Sequence, residues 1–145
     1  MTKLRAVLVL AIASVAVCAF VVTAQAKKID CRNGDPAQPQ SYQPSGCKKK
    51  GQGFKIVGTQ RADTLIGSNG DDTISGRGGK DKISGRGGDD TVSGGRANDG
   101  VSGGGGDDTI NVKGGGTDKV NCGAGDDTVK ADSSDTVSSN CETVK

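Results

Sequence analysis

Residues 67–93 read GSNGDDTIS, GRGGKDKIS and GRGGDDTVS, three nine-residue units in the same register. The period runs from residue 58 to residue 130, interrupted only by a ten-residue unit at 112–121. Every unit has an aspartate, at the sixth position of the nine-residue units: Asp63, Asp72, Asp81, Asp90, Asp99, Asp108, Asp118 and Asp127. An aliphatic residue follows each aspartate two places later: Leu65, Ile74, Ile83, Val92, Val101, Ile110, Val120 and Val129. Tandem repetition at so short a period predicts a solenoid.

The end of each unit has the pattern of a short β-strand, with one aliphatic side chain facing inward between two that face solvent. The residues before it are rich in glycine, which readily adopts the positive-φ conformations of tight turns. One unit cannot bury its single aliphatic side chain, whereas a stack of units can. We therefore expect each unit to form a turn followed by a very short strand.

Composition supports a thin fold. The 145 residues include 25 Gly but only 32% apolar and 2% aromatic residues, too few for a core of ordinary thickness. Histidine is absent, which removes the commonest general base and the commonest transition-metal ligand. No nucleophile–base pair is visible, so we predict that the protein is not an enzyme.

The repeat resembles a known family. Its pattern G-G-x-G-x-D-x-U-x, with U aliphatic, is similar to the nonapeptide of the RTX (hemolysin-type) calcium-binding repeat, most closely in the units at 67–75, 76–84, 85–93, 103–111 and 122–130. The resemblance implies an all-β, calcium-dependent parallel β-roll, a right-handed β-solenoid with two nonapeptides per coil. It also implies that Ca²⁺ lies between the turns of units i and i+2. The eight aspartates are then the expected ligands, in six pairs: 63–81, 81–99, 99–118, 72–90, 90–108 and 108–127.

Electrostatics favours the same ion. Units one coil apart place their aspartates about 4.8 Å from each other, where bare carboxylates repel and raise each other's pKa. Calcium takes six to eight oxygen ligands from carboxylates and backbone carbonyls in flexible geometry, and glycine-rich turns expose such carbonyls. We expect a largely disordered calcium-free chain that folds as it binds several Ca²⁺ ions, about six from the pairing.

Alternate units differ in charge. Four of them carry a doubled acid followed by threonine: Asp71-Asp72-Thr73, Asp89-Asp90-Thr91, Asp107-Asp108-Thr109 and Asp126-Asp127-Thr128. The units between them have Ala62, Lys80, Asn98 and Thr117 in place of the first acid. The true period is therefore near eighteen residues, and we expect the doubly acidic edge of the roll to bind calcium more tightly.

The N-terminal region predicts export. Residues 1–26 have the charges, apolar run and Ala24-Gln25-Ala26 site of a signal peptide, with cleavage before Lys27. We therefore expect a secreted, extracellular protein, either free or associated with a cell surface, without a membrane span after cleavage. Residues 27–53 are rich in Pro, Gln and Lys and have no strand or helix period. We expect them to form an irregular segment closed by a disulfide. The roll proper is expected at 54–130, with Phe54 covering the core and Ile56 facing inward, and degenerate capping coils at 131–145.

Export leaves four cysteines in an oxidising compartment: Cys31, Cys47, Cys122 and Cys141. Three pairings are possible, and we expect the two local ones, Cys31–Cys47 and Cys122–Cys141. In the last residues, Asp135 with Val137 and Glu142 with Val144 keep the acid–aliphatic spacing across shorter turns. The second pair of cysteines would then join the last two coils.

Calcium ions are the partners that the sequence predicts. Residues 58–145 carry 10 Lys and Arg against 15 Asp and Glu, a net charge of −5, which argues against nucleic-acid binding. Three functions remain open: a calcium-binding structural or cell-surface module, a secreted enzyme, and an adhesin-like or ice- or carbohydrate-binding module. The last would use an outward ladder formed by Thr73, Thr91, Thr109 and Thr128.

Overall fold

A computed structural model of the protein describes residues 28–31, 47–50 and 53–145. This part of the chain contains thirteen β-strands and no helix. The strands are β1 (Lys28–Asp30), β2 (Cys47–Lys50), β3 (Gly53–Val57), β4 (Thr64–Ile66), β5 (Thr73–Ser75), β6 (Lys82–Gly87), β7 (Thr91–Ser93), β8 (Gly100–Gly105), β9 (Thr109–Asn111), β10 (Lys119–Ala124), β11 (Thr128–Lys130), β12 (Thr136–Val137) and β13 (Thr143–Val144).

The strands form two sheets that the chain visits in alternation. Sheet A has the order β1-β4-β6-β8-β10-β12, and sheet B has the order β13-β11-β9-β7-β5-β3-β2. Within each sheet, neighbouring strands from β4 to β13 run parallel. Two consecutive strands, one in each sheet, make one coil, so β4 to β13 form five coils, from β4 with β5 to β12 with β13. The predicted parallel β-roll with two nonapeptides per coil is confirmed.

Register follows the eighteen-residue period. Leu65 pairs with Ile83 in sheet A, and Ile74 pairs with Val92 in sheet B. The ten-residue unit lengthens two steps to nineteen, from Val101 to Val120 in sheet A and from Ile110 to Val129 in sheet B, without shifting the aliphatic rows. The extra residue is absorbed in a turn, because a one-residue slip in a strand would turn its aliphatic side chain to solvent.

The core consists of one aliphatic side chain from each unit, stacked in register along the roll. Each inward aliphatic residue of the eight units is at most 4% exposed, and they pack in one cluster with Ile56 and Phe54. Ile56 of β3 pairs in register with Ile74, as the spacing predicts. Within the described ranges, no helix is long and apolar enough to cross a membrane.

The predicted irregular segment is corrected where the structure describes it. β1 joins sheet A in parallel beside β4, and β2 joins sheet B as an antiparallel partner of β3. Without these partners, β4 and β3 would leave unpaired backbone groups at the edges of the two sheets. Sequence reasoning missed these strands because neither lies within the repeat. The proposed signal peptide, residues 1–26, lies outside the described residues.

One predicted disulfide is present. Cys122 and Cys141 are bonded across 19 residues with a Cα–Cα distance of 5.3 Å, and Cys122 is fully buried. Cys31 is buried and disulfide-bonded. The side chain of Cys47 lies outside the described part of the chain, so the pairing Cys31–Cys47 stays a prediction.

Candidate metal centre

The eight repeat aspartates are buried. Each is at most 3% exposed although none lies within a strand, because each occupies the inner side of the turn that leads into one: Asp63, Asp72, Asp81, Asp90, Asp99, Asp108, Asp118 and Asp127. Aspartate is rarely buried without a partner for its charge. The interior of the roll therefore has an aliphatic column flanked by two columns of carboxylates.

A hydrogen bond links each aspartate to the aspartate one coil away. The backbone N–H of Asp72 donates to Oδ1 of Asp90 over 2.7 Å. The same bond, at 2.6–2.8 Å, joins all six pairs that the period predicts: 63–81, 81–99, 99–118, 72–90, 90–108 and 108–127. Each carboxylate therefore contacts a backbone amide of the neighbouring coil and not its carboxylate. The spacing of the aspartates alone does not indicate this partner.

The second carboxylate oxygen is different. Six Oδ2 atoms are buried without a hydrogen-bond partner in the described part of the chain: those of Asp81, Asp90, Asp99, Asp108, Asp118 and Asp127. A buried anionic oxygen without a partner loses the full free energy of its hydration. These atoms are therefore the natural ligands of a cation inside the turns.

The first two turns satisfy their own aspartates. Oδ2 of Asp63 accepts a hydrogen bond from the Thr59 hydroxyl over 2.9 Å, and Oδ2 of Asp72 accepts one from the Ser68 backbone N–H over 2.6 Å. Sequence reasoning missed this role. In both turns a hydroxyl residue stands four places before the aspartate, where the later nine-residue units have Arg or Gly.

The first glycine of a unit leaves room beside the unpartnered oxygen. A Cβ on Gly85 would overlap Oδ2 of Asp90 and would lie 2.6 Å from the carbonyl oxygen of Gly103, one coil later. We call such a place a cradle. Three cradles have an unpartnered Asp oxygen and a carbonyl oxygen: Gly76 with Asp81 and Gly94, Gly85 with Asp90 and Gly103, and Gly103 with Asp108 and Cys122.

Apolar side chains replace this arrangement toward the C-terminus. Near Gly94, Oδ2 of Asp99 is accompanied by Cγ1 of Val112, which lies 3.3 Å from the position of an added Cβ. Val112 and Cys122 take the place of the first glycine in the last two units, and both are buried in the core cluster. Among the described residues, an unpartnered carboxylate oxygen and a carbonyl oxygen therefore meet beside the first glycine only at Gly76, Gly85 and Gly103.

Burial changes the acidity of the middle aspartates. Desolvation, opposed in part by the backbone hydrogen bond, raises the pKa of Asp81 and Asp90 to about 7. The same causes raise the pKa of Asp99 and Asp108 to about 6, and that of Asp118 in the same direction. Neighbouring carboxylates add to each of these increases. Without a cation, the folded turns disfavour the ionised carboxylates.

The donor set is one that a hard cation accepts. No group of three or more His, Cys, Asp or Glu side chains converges among the described residues, so backbone carbonyls must complete any coordination shell. Calcium binds such mixed sets of carboxylate and carbonyl oxygens, whereas zinc prefers nitrogen and sulfur. The residues present therefore fit calcium.

Beyond the repeat, the degenerate coils keep the hydrogen-bond ladder. Backbone N–H groups of Asp118 and Asp127 donate to Asp135 Oδ1 over 3.0 Å and to Glu142 Oε2 over 2.8 Å. The acid–aliphatic spacing recognised at 131–145 thus corresponds to a continued stack. Glu142 reaches the same amide position with a longer side chain across a shorter turn.

Two further surfaces lie on the outer faces of the sheets. On sheet B the threonines stand in register, Thr73 beside Thr91, Thr91 beside Thr109 and Thr109 beside Thr128, and Thr143 extends the row. On sheet A a groove of about 540 Å³ crosses the strands. Lys82 and Lys119 line this groove on either side of Gly100.

Fold and turns together define a class of protein, a parallel β-roll with stacked, buried aspartates. A family model for the RTX calcium-binding nonapeptide repeat (4 copies) matches residues 57–92, 84–116 and 114–129. These matches run from residue 57 to residue 129, which is 73 of 145 residues, and the chain belongs to this family. It is a calcium-binding β-roll protein, and no catalytic domain is evident in its described residues. No curated protein and no solved structure matches the chain.

Proposed function

We propose that this protein is a secreted β-roll that binds extracellular calcium, folds as it does so and serves a structural or cell-surface role. One observation carries the proposal: six stacked, buried aspartate oxygens have no partner among the described residues. A cation in the turns would give each of them a partner. The proposal assigns no catalytic activity, in line with the absence of histidine from the sequence.

The ligands follow from the lining of the turns. Asp81, Asp90 and Asp108 are the principal calcium ligands, because each combines an unpartnered oxygen with a carbonyl oxygen in one cradle. The carbonyl oxygens of Gly94, Gly103 and Cys122 complete these three sites. Asp99, Asp118 and Asp127 bring the number of sites to at most six, with weaker binding where apolar side chains replace glycine.

Asp63 and Asp72 differ from the other six aspartates in how they contribute to calcium binding. Their Oδ2 atoms accept hydrogen bonds from Thr59 and Ser68, so they need a cation least. Their backbone N–H groups instead hold the carboxylates of Asp81 and Asp90 in place. The first coil thus prepares the sites of the second.

Calcium supplies positive charge beside the six buried Oδ2 atoms, which have no hydrogen-bond partner among the described residues. It offsets repulsion between carboxylates one coil apart and replaces the hydration that burial removes. Magnesium suits these sites less, because it requires a tight octahedron and retains its waters. An affinity of about 10⁻⁴–10⁻³ M, typical of extracellular modules, would leave the chain unfolded before export and folded afterwards.

Calcium titration tests the proposal directly. Isothermal titration and far-UV circular dichroism should report the same midpoint, at least three ions per chain, and a gain of β-structure with calcium. Magnesium at the same concentrations should give a far smaller change. A dichroism spectrum that stays the same when a chelator removes calcium would contradict coupled folding, whereas the absence of calcium heat would contradict the sites.

The threonine row on sheet B supports a second candidate, an adhesin-like or ice- or carbohydrate-binding module. Five threonines in register across neighbouring strands form a flat, repetitive surface of hydroxyl and methyl groups. Glycan-array and ice-shaping assays on calcium-loaded protein test it. A Thr91→Val/Thr109→Val variant should lose the binding while it keeps the calcium response. Equal binding by this variant would exclude the row.

A further inference from the structure

The two long edges of the roll carry opposite charges. The turns that lead from sheet A to sheet B form the acidic edge, whose exposed side chains include Asp71, Asp89, Asp107 and Asp126. The turns that lead from sheet B to sheet A form the basic edge, with the exposed residues Arg61, Arg77, Lys80, Arg96 and Lys113. The doubled acids in alternate units predict the acidic edge, and only the coil topology shows that the basic residues gather on the other one.

Neither edge neutralises itself. The four repeat turns of the basic edge contain no exposed acid, and the four of the acidic edge contain a single cation, Arg86. In the part of the chain that the structure describes, none of the nine edge residues forms an ion pair. The two edges lie on opposite sides of the same coils, so one molecule cannot bring its own edges together.

The acidic edge is ordered as a straight ladder. Backbone N–H groups of Asp89, Asp107 and Asp126 donate to Oδ1 of the preceding aspartates Asp71, Asp89 and Asp107 over 2.9–3.0 Å. These bonds fix one oxygen of a carboxylate per coil and leave the other toward solvent. A surface held in this way loses little side-chain entropy when it binds.

Both edges repeat with the same step. One coil adds one strand to each sheet, so the turns of either edge recur about every 4.8 Å along the roll, and each of the four repeat turns of the basic edge has at least one cation. An anionic ladder with this step matches a cationic edge with the same step in a second copy lying alongside. Several ion pairs formed together exceed an isolated surface pair, which contributes only about 0–1 kcal/mol.

We propose that rolls of this protein associate side by side, the basic edge of one copy against the acidic edge of the next. Such an interface is heterologous, so an assembly of any length keeps a free acidic edge at one end and a free basic edge at the other, and it grows as an open array. The proposal rests on the folded roll and not on the number of calcium ions. It is strongest at low ionic strength, because salt screens exposed charges.

Charge-neutral variants of each edge test the proposal. Arg77→Gln/Lys80→Gln/Arg96→Gln removes cations from the basic edge. Asp71→Asn/Asp89→Asn/Asp107→Asn removes three of the four exposed negative charges of the acidic edge, while each amide oxygen keeps its acceptor role. Lys82→Gln/Lys119→Gln is the matched control, because it removes two exposed charges from the face of sheet A and leaves both edges unchanged.

Sedimentation velocity of the calcium-loaded protein, purified from the medium of an expressing host, gives the readout. At about 0.01 M ionic strength the wild type and the control should associate with rising concentration, and at about 1 M they should dissociate. Each edge variant alone should be monomeric. A one-to-one mixture of the two should form a dimer that grows no further, because it has one intact basic and one intact acidic edge.

Other results overturn the proposal. A wild type that stays monomeric at low salt, or an edge variant that associates like the wild type, excludes the interface. Binding of heparin by the basic edge without self-association would assign that edge to an anionic polymer instead. Circular dichroism in calcium identifies any variant that fails to fold. If the basic-edge variant does not fold, the single charge reversal Lys80→Glu replaces it.

Discussion

The backbone N–H of Asp72 donates to Oδ1 of Asp90 over 2.7 Å, and the other oxygen of Asp90 is buried without a partner in the described residues. One carboxylate therefore has two tasks. Oδ1 joins neighbouring coils through its hydrogen bond, and Oδ2 is available to bind a cation. The repeat multiplies this relationship along both edges, which couples the stacking of coils to the binding of calcium.

Removing the charge of Asp90 separates these two tasks. Asp90→Asn keeps an acceptor for Asp72 N–H but loses the anionic ligand, so the calcium count should fall by one. The midpoint for folding should rise about tenfold, equivalent to about 1.4 kcal/mol. Asp89→Asn is the control, because Asp89 is adjacent and exposed. Calcium titration by calorimetry and dichroism measures both, and equal effects of the two variants would refute a special role for Asp90.

A methyl group in a cradle should prevent calcium binding there. Gly85→Ala places a Cβ against Oδ2 of Asp90 and the carbonyl oxygen of Gly103. We expect this overpacking to destabilise the calcium-bound roll by about 1–3 kcal/mol. Gly87→Ala, two residues later in β6, is the matched control, because the nearest atom to an added Cβ there lies 3.8 Å away. Thermal unfolding in saturating calcium compares them, and a Gly85→Ala protein as stable as Gly87→Ala would contradict the cradle.

Stability without calcium should increase as the pH falls. The pKa of Asp90 is raised to about 7 in the folded state from 3.8, so folding favours the protonated form of this carboxyl. The stabilising contribution is complete below about pH 4 and is lost as the pH rises through about 7. Dichroism of metal-free protein should show more β-structure at about pH 4.5 than at about pH 8. Equal spectra at both pH values would count against buried carboxyls.

Calcium affinity should show the opposite pH dependence. Protons compete with calcium for the carboxylates of Asp81, Asp90, Asp99 and Asp108, whose pKa values are raised to about 6–7. The calcium midpoint should therefore rise as the pH is lowered from about 8 to about 5. Titrations at fixed ionic strength measure this shift. A midpoint independent of pH would show that these four groups do not bind the metal.

The disulfide should stabilise the last coil. A Cys122→Ala/Cys141→Ala variant removes a bond that closes a loop of 19 residues, a change of about 3 kcal/mol on chain-entropy grounds. We expect a lower thermal midpoint in calcium, with faster hydrogen exchange in β12 and β13. Amides of β6 and β7 serve as the internal reference. Equal loss of protection throughout the roll would show that the bond acts on the whole stack and not on its end.

Much of the fold could be predicted from the sequence because the repeat is explicit. Each aliphatic residue of the period faces inward, and each predicted aspartate pair is joined across one coil. The strands β1 and β2 could not be predicted. They carry no repeat, and only the unpaired edges of β4 and β3 select them as partners.

The candidate site was predictable in its residues and not in its chemistry at each turn. A period of nine residues and an aspartate in every unit determine that carboxylates stack, because strand spacing leaves one register for them. Which oxygen is satisfied depends on neighbours that converge only in the folded turn, such as Thr59, Ser68 and Val112. Segregation of charge to opposite edges is also decided by tertiary structure, since residues nine apart in sequence lie on opposite sides of the coil while residues eighteen apart lie side by side.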